Sequence, residues 1–163
     1  MFNKKSQPEK SLRQRALEYL GKREYSYKEL GQKLKPYLDE NDDMDSITAI
    51  LDDFKTREWL SDARFTEQML HARRAKFGSS KIIHELREKG VESTLIEGVV
   101  EQLKETELAS AKEIWQKKYI NAPENRDEWA KQARFLQSRG FGFDVIKRVL
   151  NSSKENGQET DDE

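Results

Sequence analysis

The 163-residue chain carries 30 Lys and Arg against 31 Asp and Glu, so a net charge of −1 conceals a surface in which 37% of residues are charged and only 34% are hydrophobic. Adding the 8 Gly gives about 39%, short of the ~45–50% of an ordinary globular domain, which disfavours one thick core and favours an extended stack of small units. The absence of Cys excludes disulfide and thiol chemistry, no run approaches the ~18 apolar residues of a membrane span, and Met1-Phe2-Asn3-Lys4-Lys5 opens no apolar signal core, so a cytoplasmic protein without a membrane partner is expected.

Apolar residues recur at helical spacing and nowhere alternate in a sustained β-branched run, so the expected class is all-α. Residues 1–10 and 152–163 are polar and aperiodic, and are expected to be disordered tails. The first helix is predicted over about Ser11 to Arg23, with Leu12, Ala16, Leu17 and Leu20 on one side. Ser26-Tyr27-Lys28-Glu29 has the form of a capping box opening a second helix, whose apolar residues are Leu30, Leu34 and Leu38 and which Pro36 should curtail or kink. Asp39 to Asp45 reads as a loop, and Ile47, Ile50, Leu51 and Phe54 mark a third helix.

The pattern restarts at Leu60-Ser61-Asp62, with Asp62 placed to cap a helix bearing Phe65, Met69 and Ala72. Gly78-Ser79-Ser80 separates it from a helix bearing Ile82, Ile83 and Leu86 that stops at Gly90; the next begins at Ser93 with Leu95, Ile96, Val99, Val100 and Leu103. A third round opens near Leu108 with Ala111, Ile114 and Trp115 and loops through Asn121-Ala122-Pro123. It continues with Trp129, Ala133 and Leu136 up to Gly140, and closes with Val145, Ile146, Val149 and Leu150 after Asp144.

The two glycine stops carry the evidence for repetition. In Leu86-Arg87-Glu88-Lys89-Gly90-Val91 the glycine can turn left-handed past the helix end and let Val91 fold back on Leu86; Leu136-Gln137-Ser138-Arg139-Gly140-Phe141 offers the same device fifty residues later. The helices that follow also match at that offset. Three tandem three-helix repeats are therefore expected, over 11–60, 61–106 and 107–151, each burying its neighbour's apolar face.

Catalytic patterns are not found. His71 and His84 are the only histidines, and His84-Glu85 lacks a second histidine four positions on, so a zinc-hydrolase site fails. Phosphate-cradling glycine loops are missing, and no carboxylate pair stands out. No metal or cofactor is expected. Trp59, Phe65, Phe77, Trp129, Phe135 and Phe141 read as core or inter-repeat packing rather than as stacking platforms for bases.

Charge alternates in blocks: net +6 over residues 1–37, −7 over 38–62, +4 over 63–91, −4 over 92–113, +4 over 114–150 and −4 over 151–163. Solvated faces explain any one block, whereas the whole mosaic suits a large charged partner, for which it would set register and speed encounter. In the middle basic block Arg73, Arg74 and Lys76 end one helix while Lys81, Arg87 and Lys89 lie on the next, so the link at Gly78-Ser79 brings two clusters together. Cations near helix C-termini also complement the macrodipole, a purely structural reason for Arg73, Arg74 and Lys89. Both readings stand; the functional one predicts affinity that falls with salt.

Trp59-Leu60-Ser61-Asp62-Ala63-Arg64-Phe65, and the stretch from Phe77-Gly78-Ser79-Ser80-Lys81 to Glu85-Leu86-Arg87-Glu88-Lys89-Gly90-Val91, resemble the RecX family. Arg23-Glu24-Tyr25-Ser26 with Glu29-Leu30, and Arg134-Phe135-Leu136 with Arg139-Gly140-Phe141, are similar to it as well. His84 departs from the pattern, standing where the family usually has another arginine. The resemblance implies an elongated, curved, right-angled stack of helices that lodges in the groove of the RecA filament on DNA. Such a protein modulates, and mostly inhibits, the filament's ATPase, strand exchange and coprotease activities, catalyses nothing itself and acts in DNA repair and the SOS response. The expected contacts are Arg64, Arg73, Arg74, Lys76, Lys81, Arg87, Lys89 and Arg139, on a monomer with at most weak direct DNA contact. The rival from another class is an autonomous helical module for single-stranded nucleic acid.

Overall fold

The computed structural model describes residues 9–155, and all described secondary structure is helical. Eight α-helices run in the order α1 (Leu12–Lys22), α2 (Tyr27–Leu34), α3 (Met44–Thr56), α4 (Asp62–Arg73), α5 (Ser79–Glu88), α6 (Ser93–Lys118), α7 (Arg126–Ser138) and α8 (Phe143–Glu155), with one 3-10 turn, Lys35–Tyr37, after α2. The chain divides into two compact units after Phe65. The expected tails at 1–8 and 156–163 lie outside the described residues. Residues 152–155, expected to be disordered, instead extend α8 by a turn.

In the first unit, Ser11 accepts from the Gln14 N–H while the Gln14 side chain accepts from the Ser11 N–H, a complete capping box at the start of α1. Ser26 opens α2 as expected, its hydroxyl accepting from the Glu29 N–H at 3.0 Å. The buried Glu29 carboxylate receives two N–H bonds from Arg23, at 2.6 and 3.1 Å. α2 ends at Leu34, and Pro36 sits inside the tighter turn that follows, because a proline cannot donate to the next α-helical bond. Asp43 caps α3 through the Ser46 N–H, so the acidic loop ends two residues earlier than expected.

Ala16, Tyr25, Leu30, Leu34, Ile47, Leu51, Phe54 and Leu60 form the core of this unit. Gly31 lets α2 approach α3, since a Cβ there would stand 3.2 Å from Leu51 Cδ1. The expectation for Asp62 needs correcting: Ser61 Oγ accepts from the Arg64 N–H at the head of α4, while the Asp62 carboxylate takes the Tyr27 N–H at 2.8 Å. A residue chosen as a cap for its own helix thus satisfies the exposed donor at the start of another.

In the second unit the glycine stops form as expected. Gly90 has φ 75° and Gly140 φ 95°. Val91 N–H reaches Leu86 O at 3.1 Å and Phe141 N–H reaches Leu136 O at 3.2 Å, each closing the helix before it with the apolar residue folded inward. The proposed boundary at 106/107 falls inside a continuous helix, the 26-residue α6. Lys104-Glu105-Thr106-Glu107 contains no Gly, Pro or chain-reversing signal, so nothing stops the helix that Ser93 opened. Its first half buries Ile96, Val99 and Leu103; its second half buries Ala111, Ile114 and Trp115 in a cluster with Leu136, Phe141, Ile146, Val149 and Leu150. The Trp115 indole N–H donates to Gln132 Oε1 at 2.7 Å, so this core buries its polar atom satisfied.

Candidate interaction surface

The short link between α4 and α5 does not merely join two helices; it is seated on the Gly140 stop. Gly78 N–H donates to Arg139 O at 2.7 Å, and Gly140 O accepts from both the Ser80 hydroxyl, at 2.8 Å, and the Ser80 N–H, at 3.3 Å. The two backbones meet so closely that a Cβ on Gly78 would stand 2.5 Å from Gly140 O. The space left between α4, α5 and α6 at this point is about 10 Å³, too little for a ligand. The joint is therefore packed, and whatever it does is done on its outer face.

That face carries a row of cations interleaved with rings. Lys81 Nζ lies 5.1 Å from the Phe77 ring centre, and Arg139 Cζ lies 5.9 Å from Phe77 and 5.2 Å from Phe135. Lys118 Nζ lies 4.4 Å from Phe135. Arg139 Nη1 also donates to Lys76 O at 3.2 Å. Each contact is worth about 0.5–1 kcal/mol at an exposed site, enough to bias a long side chain toward its ring but less than its rotamer entropy of about 1.5–2 kcal/mol. A guanidinium laid over a ring uses its flat face, and the edge donors Arg139 does not spend on Lys76 O remain for a carboxylate or phosphate. Both phenylalanines are half-buried, so each has an inner side that packs and an outer side that holds cations.

The eight expected cations divide by what they touch. Arg64, in the first unit, pairs with Glu24 at 3.0 Å and donates to Glu58 O at 2.6 Å, holding the turn where Glu58 itself has φ 59°. Arg73 forms a two-pronged pair with Glu85, at 2.9 and 3.0 Å, tying α4 to α5. Arg74 reaches Leu103 O and Gln102 O at 3.0 and 3.3 Å, tying α4 to α6. Lys81 and Arg139 flank Phe77 on the outer face, Lys76 is exposed and its carbonyl accepts from Arg139, and Arg87 is exposed and Lys89 half-buried at the far end of α5. Sequence reasoning missed Lys118, and it assigned Phe77 and Phe135 to packing alone. The available signal was an aromatic side chain closing a cationic run, as in Arg73-Arg74-Ala75-Lys76-Phe77 and Lys131 through Arg134-Phe135. Trp59 likewise departs from the packing expectation: it leans on Phe54 at 5.4 Å but stays 44% exposed, with Arg57 5.1 Å from its ring.

Residues 61–100 match the family model described as RecX, second three-helix domain, and residues 105–150 match RecX, third three-helix domain. The chain is 40% identical over 145 residues to "Regulatory protein RecX" of Leptothrix cholodnii, covering 89% of this chain and 90% of that one. It is 41% identical over 141 residues to the protein of the same name in Chromobacterium violaceum, covering 86% and 90%. Among solved structures, that of RecX from Lactobacillus salivarius superposes with a TM-score of 0.73 at 19% identity, over 88% of this chain and 95% of the other, a likeness of fold. The matched domains are the two that contribute the cation and ring row.

Proposed function

The chain belongs to the RecX family of regulatory proteins, and on that premise we propose that it binds the RecA filament on DNA and restrains its ATPase, strand exchange and coprotease activities, in recombinational repair and the SOS response. It does so as a cytoplasmic monomer, by occupancy rather than by catalysis. The observation that carries this reading is the continuous row Lys81, Phe77, Arg139, Phe135, Lys118, in which cations from two consecutive three-helix domains lie against shared rings. A filament is a repeating charged polymer, and cations already biased toward one arrangement meet it at a reduced ordering cost.

Of the expected contacts, Lys76, Lys81, Arg87 and Arg139 then face the partner, joined by Lys118. Arg64, Arg73 and Arg74 act mainly by holding the helices that display them. The experiment is RecA ATPase on single-stranded DNA with the full-length protein titrated in. Lys81→Glu, Lys118→Glu and Arg139→Glu combined should raise the half-inhibitory concentration by about tenfold or more with helicity unchanged. A superimposable inhibition curve would remove the row from the mechanism. Interleaved cations and rings also suit single-stranded nucleic acid. Salt-dependent binding to bare single-stranded DNA, as tight as binding to the filament, would favour that second reading.

A further inference from the structure

The basic block of the first unit converges on a hollow that neither the capping nor the core of that unit requires. Arg15, Glu18, Tyr19 and Lys22 follow at spacings of three, one and three, which places all four on one face of α1. Pro36, by forcing the tighter turn after α2, delivers Tyr37 to the same face. The Arg15 guanidinium stacks 4.0 Å from the Tyr37 ring centre. These five side chains line a recess of about 160 Å³ that opens to solvent.

Its chemistry is one-sided. The neighbouring Tyr37 hydroxyl and then desolvation push the Tyr19 pKa up, so the phenol keeps its proton. The single carboxylate on the rim, Glu18, is engaged by Lys10 at 2.7 Å, a hydrogen bond that lowers its pKa. Lys10, Arg15 and Lys22 against Glu18 leave two net positive charges beside hydroxyl donors. The guanidinium is stacked by its face and keeps its edge for a ligand.

We propose that this hollow binds a phosphate group. A tetrahedral oxyanion can accept at once from a guanidinium edge, an ammonium and a phenol that approach from different directions, whereas a planar carboxylate is satisfied by a single fork. The phosphate can be a diester in a nucleic-acid strand or a free anion, and the two sources separate by experiment. The proposal is independent of the RecA reading, because the hollow belongs to the first unit and the cation and ring row to the second.

The test uses the full-length protein, a fluorescein-labelled oligothymidine 20-mer and, separately, inorganic phosphate. Arg15→Ala with Lys22→Ala is compared with Lys28→Ala with Lys33→Ala, which removes equal charge from exposed positions of the same unit outside the recess. If a strand phosphate is the ligand, the first pair weakens oligothymidine binding about tenfold and lowers the logarithmic salt slope by about 1.4, while the second pair changes affinity less than about threefold. If a free phosphate is the ligand, millimolar inorganic phosphate shifts the Tyr37 ring resonances in wild type and not in the first pair, whatever the strand does. Equal weakening of strand binding by both pairs, together with Tyr37 resonances unmoved by inorganic phosphate, overturns the proposal.

Discussion

Replacing Gly78 with alanine probes the joint on which the candidate surface is built. The Cβ would stand 2.5 Å from Gly140 O, 2.6 Å from Gly140 C and 2.8 Å from Phe141 Cδ1. The nearest two are backbone atoms that cannot rotate away, so reaching an ordinary 3.4 Å contact requires the link and the Gly140 turn to separate by about 0.9 Å. Overpacking of this kind costs about 1–3 kcal/mol. The separation also stretches the Gly78 to Arg139 and Ser80 to Gly140 hydrogen bonds, each worth about 0.5–1.5 kcal/mol. Against this, alanine narrows the unfolded ensemble by about 0.4–1 kcal/mol. The net expectation is a loss of about 2 kcal/mol, or a fall in Tm of about 4–8 °C for a chain of this size.

Thermal and urea unfolding followed by far-UV circular dichroism reads this directly. Gly98→Ala is the control, because nothing lies within 4 Å of a Cβ there and the residue is exposed in the second turn of α6. It should stabilise by about 0.5–1 kcal/mol through helix propensity. A Gly78→Ala protein that melts at or above the wild-type temperature, beside a stabilised Gly98→Ala, would refute the close approach of the two backbones.

Two further predictions concern the first unit. Glu58 closes α3 in the left-handed region at φ 59°, where a side chain costs about 1–2 kcal/mol, and glycine's extra unfolded entropy returns about 0.5–1 of that. Glu58→Gly should therefore raise Tm by about 2 °C by calorimetry, and a lower Tm would show that the Glu58 side chain holds the turn. Asp53 lies 2.8 Å from Arg13 and 3.0 Å from Arg57, and hydrogen bonds to first one and then the other depress its pKa below the ordinary 3.8. Its stabilising contribution is thus complete above that value and lost as pH falls through the depressed pKa. The stability gap between wild type and Asp53→Asn, measured by urea unfolding from pH 7 to pH 2.5, should be constant down to about pH 4 and close below it. A gap that does not vary with pH would show that the carboxylate charge is not what pairs with the arginines.

Local signals carried most of the helical reading. The stops at Gly90 and Gly140, the cap at Ser26 and the curtailing effect of Pro36 are legible because each acts within a few residues of itself, through a backbone conformation or a nearby donor. Continuity of α6 is legible in the same way, from the absence of any breaker between Leu103 and Leu108, so two repeats can share one helix. Asp62 shows where local reasoning ends. Its spacing fits a cap for α4, yet its carboxylate serves Tyr27, thirty-five positions earlier.

The amino-acid sequence by itself determined the class of fold, the glycine-stopped repeat and which segment is rich in cations, since composition, periodicity and short-range caps are all written along the chain. Which cations are spent on the scaffold and which are displayed was decided only by tertiary structure. Arg73 and Arg74 are neighbours of the same type as Lys76, but their partners, Glu85 and the carbonyls of Gln102 and Leu103, arrive from other helices. Arg139 meets Lys76 across sixty-three positions. An exposed charge and a paired one look alike in sequence; what distinguishes them is the neighbour that folding brings, and with it the free energy of leaving water or remaining in it.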